Sequence, residues 1–158
     1  MLNELSAVLP QPFADYIEEL LRIVAAALAG MVLGIEREWR SKPAGLRTNM
    51  LVSVAAATYT VLALDLARRT GGQHIEPDPL RIFEAVTAGA AFLGAGCIIQ
   101  ARGNVIGVTT GATVWLAAAV GLACGAGYFV VALFTTAFGF VILRFVGYAI
   151  GDRPEDAD

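Results

Sequence analysis

From Gly103 to Leu143 the chain runs 41 residues without a single Asp, Glu, Lys or Arg. As one helix that run would reach roughly 62 Å at about 1.5 Å per residue. A bilayer's hydrocarbon core is only about 30 Å thick and is crossed by about 20 residues. The run therefore reads as two spans folded back at a turn, with Gly125-Ala126-Gly127 supplying it. Two further charge-free runs, Thr48–Leu64 and Ala85–Ala101, are 17 residues each, just long enough to cross. Ile23–Ile35 is 13 residues long and becomes a span by taking in Leu20 and Leu21, with Arg22 snorkelling to the interface. The pattern predicts an all-α membrane protein with five transmembrane helices, at about 18–36, 46–66, 82–101, 107–125 and 127–148. Residues 1–150 form the membrane domain and 151–158 a short acidic tail. The alternative, a soluble protein with buried core helices, leaves several spanning-length apolar runs with nothing to cover them in 158 residues.

Composition agrees. Hydrophobic residues make up 57% and charged residues 16%, against about 45–50% and about 25% in soluble domains. A net charge of −3 argues against a nucleic-acid footprint. Met1–Leu21 carries four acids and no Lys or Arg, the reverse of a signal peptide's basic start. Arg37, Arg40, Lys42, Arg47, Arg102, Arg144 and Arg153 fall on one side of the five spans, and Arg22, Arg68, Arg69 and Arg81 on the other. The richer side is expected in the cytoplasm, which puts the N-terminus outside and the C-terminus inside. Cys97 and Cys124 then lie in different leaflets, too far apart for a bridge, and read as packing residues.

Membrane helices associate through small residues and a few polar contacts. Gly30-x-x-x-Gly34, Ala90-x-x-x-Gly94 and the series Gly107, Gly111, Ala117, Gly121, Gly125 supply such faces. Packing within one subunit is their ordinary use; a homo-oligomer is the other. An offset of 62 aligns Gly45 with Gly107, Gly34 with Gly96, Arg40 with Arg102, and the triple alanines Ala55–Ala57 and Ala117–Ala119. That spacing raises the expectation of two tandem parallel helical hairpins followed by a fifth helix, against chance matching in an Ala- and Gly-rich chain.

Both Gly-x-x-Thr openings, at Gly45 and Gly107, read as helix N-termini on the cytoplasmic side, where free N–H groups and the dipole attract anions. Glu36, Arg37, Lys42, Arg47, Thr48, Asn49, Thr109 and Thr110 gather on that face. One reading is a pocket for an anionic group or a partner's acidic segment; the other has Thr48 and Thr110 capping helices while the basic residues meet lipid headgroups. No acid lies near a midplane, which counts against an ion pathway. His74, Glu76 and Asp78 alternate in the opposite loop, but one His and two acids make a poor metal site. Asp78 reads better as the N-cap of span three with Pro79 at its first position. The glycines at 94, 96 and 103 are no nucleotide loop, and no Ser-His-Asp or Cys-His set is present. No metal, cofactor or enzymatic activity is expected.

Several blocks, in order, resemble the bacterial MgtC/SapB membrane-protein family. They are Leu33-Gly34-Ile35-Glu36-Arg37-Glu38, Lys42-Pro43-Ala44-Gly45-Leu46-Arg47-Thr48-Asn49, Asp78-Pro79-x-Arg81-Ile82, Phe92-Leu93-Gly94-Ala95-Gly96, and Gly107-x-Thr109-Thr110-x-Ala112-Thr113-x-Trp115. The resemblance implies a five-span inner-membrane domain with its N-terminus outside. It also implies a regulator that binds another membrane protein, such as the F-type ATP synthase, in magnesium or stress adaptation; a small Mg²⁺ or other ion transporter is the alternative. It would give Arg47 the anion contact, Glu36 the role of counter-charge, and Asp78 a capping role with Arg81 as partner. Many relatives add a cytoplasmic C-terminal domain, whereas this sequence stops at Asp158. Thr87–Ala91 also departs from a more usual Ser-Gly-Ile-Gly-like run.

Overall fold

The computed structural model describes residues 13–70, 80–101 and 104–146. Within them lie five α-helices: α1 (Phe13–Trp39), α2 (Leu46–Thr70), α3 (Leu80–Gly96), α4 (Val108–Gly125) and α5 (Phe129–Val141). A single π-helical turn, Ile142–Val146, continues α5. Leu46–Arg68 and Val108–Gly125 are each long and apolar enough to cross a membrane.

The connection between α3 and α4 departs from the sequence expectation. Span three was expected to run to residue 101, but α3 ends at Gly96 and Ile99–Ala101 pairs antiparallel with Asn104–Ile106 as strands β1 and β2. Ala101 faces Asn104 at the end of the pairing. Hydropathy alone could not separate this strand from the helix before it. The local sequence could have: Ile98 and Ile99 are β-branched, and Arg102-Gly103-Asn104 is turn chemistry inside an alternating stretch.

α4 is the axis of the bundle and touches each of the other four helices. Its buried face is built from Gly111, Thr113, Val114, Ala117, Ala118, Gly121 and Gly125. Around it the core is mostly small or polar: Ala26, Ala56, Ala57, Ser53, Thr60 and Thr136 are buried, with Leu33 a fully buried exception. Most of the large apolar side chains face outward instead, among them Leu51, Phe92, Trp115, Leu133 and Phe138. A soluble fold places these groups the other way round. In lipid, helices gain nothing by hiding leucine and instead use small residues to bring backbones together. The structure is that of a membrane protein.

Buried hydroxyls are satisfied locally. Thr60, Thr113 and Thr136 each donate to the carbonyl four residues back, while Ser53 Oγ donates across to the Ala26 carbonyl of α1 at 2.8 Å. Gly127, with φ +82, makes the expected turn between α4 and α5. Arg22 does more than snorkel. Its guanidinium donates to the Gly125 carbonyl at 3.0 Å and pairs with Glu18, holding α1 against the C-terminal end of α4. Cys97 and Cys124 are both free thiols.

The 62-residue offset survives at the helix starts, since Gly45 and Gly107 each precede a helix by one residue. It fails elsewhere. A hairpin follows α3 where a short loop follows α1, and a Cβ on Gly34 would meet the Leu46 backbone at 2.7 Å whereas Gly96 has nothing within 4 Å.

Candidate functional site

The C-terminal end of α1 and the N-terminal ends of α2 and α4 come together at one end of the bundle. α1 stops in a left-handed residue, Ser41, with φ 53. Ser41 N donates to Glu38 O, and Lys42 N donates to Arg37 O, each at 3.0 Å. This pair of bonds is the Schellman closure, and it folds Lys42 back over the last turn of α1.

The two helix N-termini at this end are treated differently. α2 is closed by the protein itself: the Glu38 carboxylate accepts the Leu46 N–H at 2.9 Å. Asn49, fully buried, ties its amide to the Ala44 and Gly45 carbonyls. Among the described residues α4 shows no such side-chain cap. Gly107 is its N-cap with no side-chain hydrogen bond. Its φ of +85 suits glycine, and a Cβ there would come within 1.9 Å of the Cys97 carbonyl. Beside this uncapped turn lies a recess of about 120 Å³ lined by Arg37, Lys42, Val105, Val108, Thr109 and Thr110.

Arg37 is 3% exposed, and its guanidinium donates to Thr110 Oγ1 at 2.7 Å. Thr110 is therefore not a helix cap; it holds Arg37 against the start of α4. A guanidinium, an ammonium group, two threonines and N–H groups with no intrahelical acceptor all border one small space. That combination suits a carboxylate or phosphate oxygen set.

Of the eight residues expected at this face, Arg37, Lys42, Thr109 and Thr110 line the recess. Asn49 supports the loop. Glu36 is buried and ion-pairs with Arg40 Nε at 2.7 Å, so its counter-charge is Arg40 rather than Arg47. Arg40 also donates to the Arg144 carbonyl at 3.4 Å, linking α1 to the π turn. Arg47 and Thr48 are exposed on the first turn of α2 and do not line the recess. The cations that border the recess are Arg37 and Lys42, not Arg47, to which the sequence reading gave the anion contact. Arg81 belongs to the N-terminal turn of α3, 13 residues before Gly94. Asp78, with His74, Glu76 and Pro79, lies outside the described residues, and so does Arg102.

Two working residues escaped the sequence reading. Arg40 had a legible signal, since Glu36 and Arg40 stand four apart on one helix. Glu38 had none, because its partner lies across a loop whose shape only the fold supplies.

Comparison with known proteins fits this picture. The chain is 36% identical over 145 residues to the protein SapB of Bacillus subtilis strain 168, covering 88% of this chain and 62% of that one. It is 37% identical over 143 residues to the protein MgtC of Salmonella typhimurium strain LT2, covering 88% and 58%. It is 33% identical over 128 residues to YhiD of Escherichia coli strain K12, named as a suggested magnesium transporter, covering 80% and 60%. The chain thus spans less than two thirds of the length of these relatives. No solved structure matches it. The MgtC family model matches residues 23–149, a stretch that holds the whole recess and every helix from the core of α1 to the π turn, and the chain belongs to the MgtC family.

Proposed function

We propose that this chain is a non-enzymatic, multi-pass protein of the bacterial inner membrane, with its N-terminus outside and its C-terminus in the cytoplasm. Its role is to regulate another membrane protein by binding an acidic segment or anionic group of that partner. The F-type ATP synthase is one such partner, and the setting is magnesium or stress adaptation. The observation behind this reading is the recess at the start of α4, where Arg37 and Lys42 flank an uncapped helix N-terminus. The excess of Lys and Arg around the loop between α1 and α2 supports a cytoplasmic position for it.

Lys42 is the residue to test, because it sits in a half-buried loop position and its side chain can change without breaking a helix. Crosslinking in native membranes followed by co-purification is expected to capture a membrane complex with the wild type. Lys42→Glu is expected to lower capture by roughly tenfold, equivalent to about 1.4 kcal/mol. Equal capture by both proteins would remove the recess from the interface.

A second reading, Mg²⁺ transport, is supported by the name of the E. coli relative. Proteoliposomes separate the two. Mg²⁺ flux that Lys42→Glu abolishes, with no captured complex, favours transport; capture without flux favours the regulator.

A further inference from the structure

α3 packs on the bundle through Val86, Ala90 and Gly94, with Ala90 buried among Ala56, Ala118 and Leu122. Near its C-terminus a Cβ on Gly94 would come within 2.9 Å of the Gly111 carbonyl of α4, so the two backbones touch there. Beside these contacts α2 and α3 leave a cleft of about 690 Å³ between them. That size falls within the range of about 300–1,000 Å³ typical of small-molecule sites. Val52, Ala55 and Ala63 of α2 form one wall, Ala85 and Gly89 of α3 form the other, and Ala118 of α4 lies at the floor. The lining is almost wholly apolar, and the cation in it is Arg81, on the first turn of α3 at the open end.

The length of the cleft selects among occupants. From Arg81 to Leu93 along α3, the lining covers roughly 18 Å at about 1.5 Å per residue. One leaflet of a core about 30 Å thick is about 15 Å deep. The lining ends at Leu93, so a helix crossing the whole bilayer would overrun it, whereas a single lipid chain ends at that depth. The charge at the mouth agrees, because a guanidinium matches the oxygens of a phosphodiester and sits at the level of a headgroup. Glu84, one turn further along α3, does not line the cleft.

We propose that the cleft between α2 and α3 binds one acyl chain of an anionic phospholipid, with Arg81 holding the phosphate. The site is independent of the recess at the other end of the bundle.

The test uses the whole chain purified in mild detergent, with native mass spectrometry counting bound phosphatidylglycerol against phosphatidylcholine. The wild type is expected to retain one phosphatidylglycerol per chain. Arg81→Gln is expected to lower the preference for phosphatidylglycerol by roughly tenfold, as loss of a charge-assisted fork to phosphate would. Gly89→Phe places a ring in the cleft, where a Cβ meets nothing within 4 Å. It is expected to remove the bound lipid while elution and helicity stay as in the wild type. Retention of lipid by Gly89→Phe, or equal preference in the wild type and Arg81→Gln, overturns the proposal. So does a dimer that Gly89→Phe splits into monomers, which would assign the cleft to a second copy of the chain.

Discussion

Gly89 and Gly94 stand five residues apart on the same helix and have opposite surroundings. A Cβ on Gly94 would run into the backbone of Gly111, while one on Gly89 would meet nothing. Both read from sequence as small residues in a membrane segment, where such residues usually mark helix contacts. Only one of the two does. Small side chains in lipid serve two purposes: they let two backbones touch, or they leave a channel between helices that do not. The way to tell them apart is to add atoms at each place and measure what the bundle tolerates.

The largest effect is expected at Gly121 on α4, the limiting case of the Gly94 type. A Cβ there would come within 2.2 Å of the Ser53 carbonyl and 2.9 Å of Ala56 Cβ, both on α2. A backbone oxygen cannot rotate away, so α2 and α4 must separate. Ordinary overpacking costs about 1–3 kcal/mol; Gly121→Leu is expected to exceed about 3 kcal/mol and prevent recovery of folded protein. Size-exclusion chromatography in detergent checks this, and a normal monodisperse peak would mean that α2 and α4 are not pressed together as described.

Gly94→Val ranks second. The contact with Gly111 is longer, at 2.9 Å, and α3 is held to the bundle mainly through α4, so it can lean further out. A loss of about 1–3 kcal/mol is expected, read as a lower Tm in detergent with the chain still folded. A Tm as high as that of the wild type would mean that α3 is not anchored at Gly94.

How much of this was legible in the sequence depends on what kind of force decides each feature. Charge-free runs locate the helices because lipid excludes charge over a fixed thickness, and the turn at Gly125-Ala126-Gly127 followed from the excess length of one run. The start of α4 at Val108 was marked by the preceding glycine. Hydropathy failed at Ile99–Ala101, where strand and helix are equally apolar and a hairpin wins locally. At the recess, the residue types were legible but not their division of labour. Arg37 and Arg47 are both arginines near a helix end, and only the direction of each helix decides which one reaches Thr110. The left-handed Ser41 that folds Lys42 back left no mark, because serine is not the residue that conformation usually selects. The cleft left none either, since it is a distance between helices rather than a pattern along one of them.

The smallest effect, with the opposite sign, belongs to Gly89→Ala. Its added methyl meets no atom within 4 Å, and alanine restricts the unfolded backbone more than glycine does, which favours a helix interior by about 0.5–1 kcal/mol. A slightly higher Tm is therefore expected, with helicity unchanged. A single methyl is far too small to fill a cleft of about 690 Å³, so lipid retention should persist in Gly89→Ala even though Gly89→Phe removes it. The pair of variants thus separates a helix-propensity effect from occupation of the cleft. If Gly89→Ala instead lowers the Tm as far as Gly94→Val does, α3 lies against α2 along its whole length and the two glycines share one role.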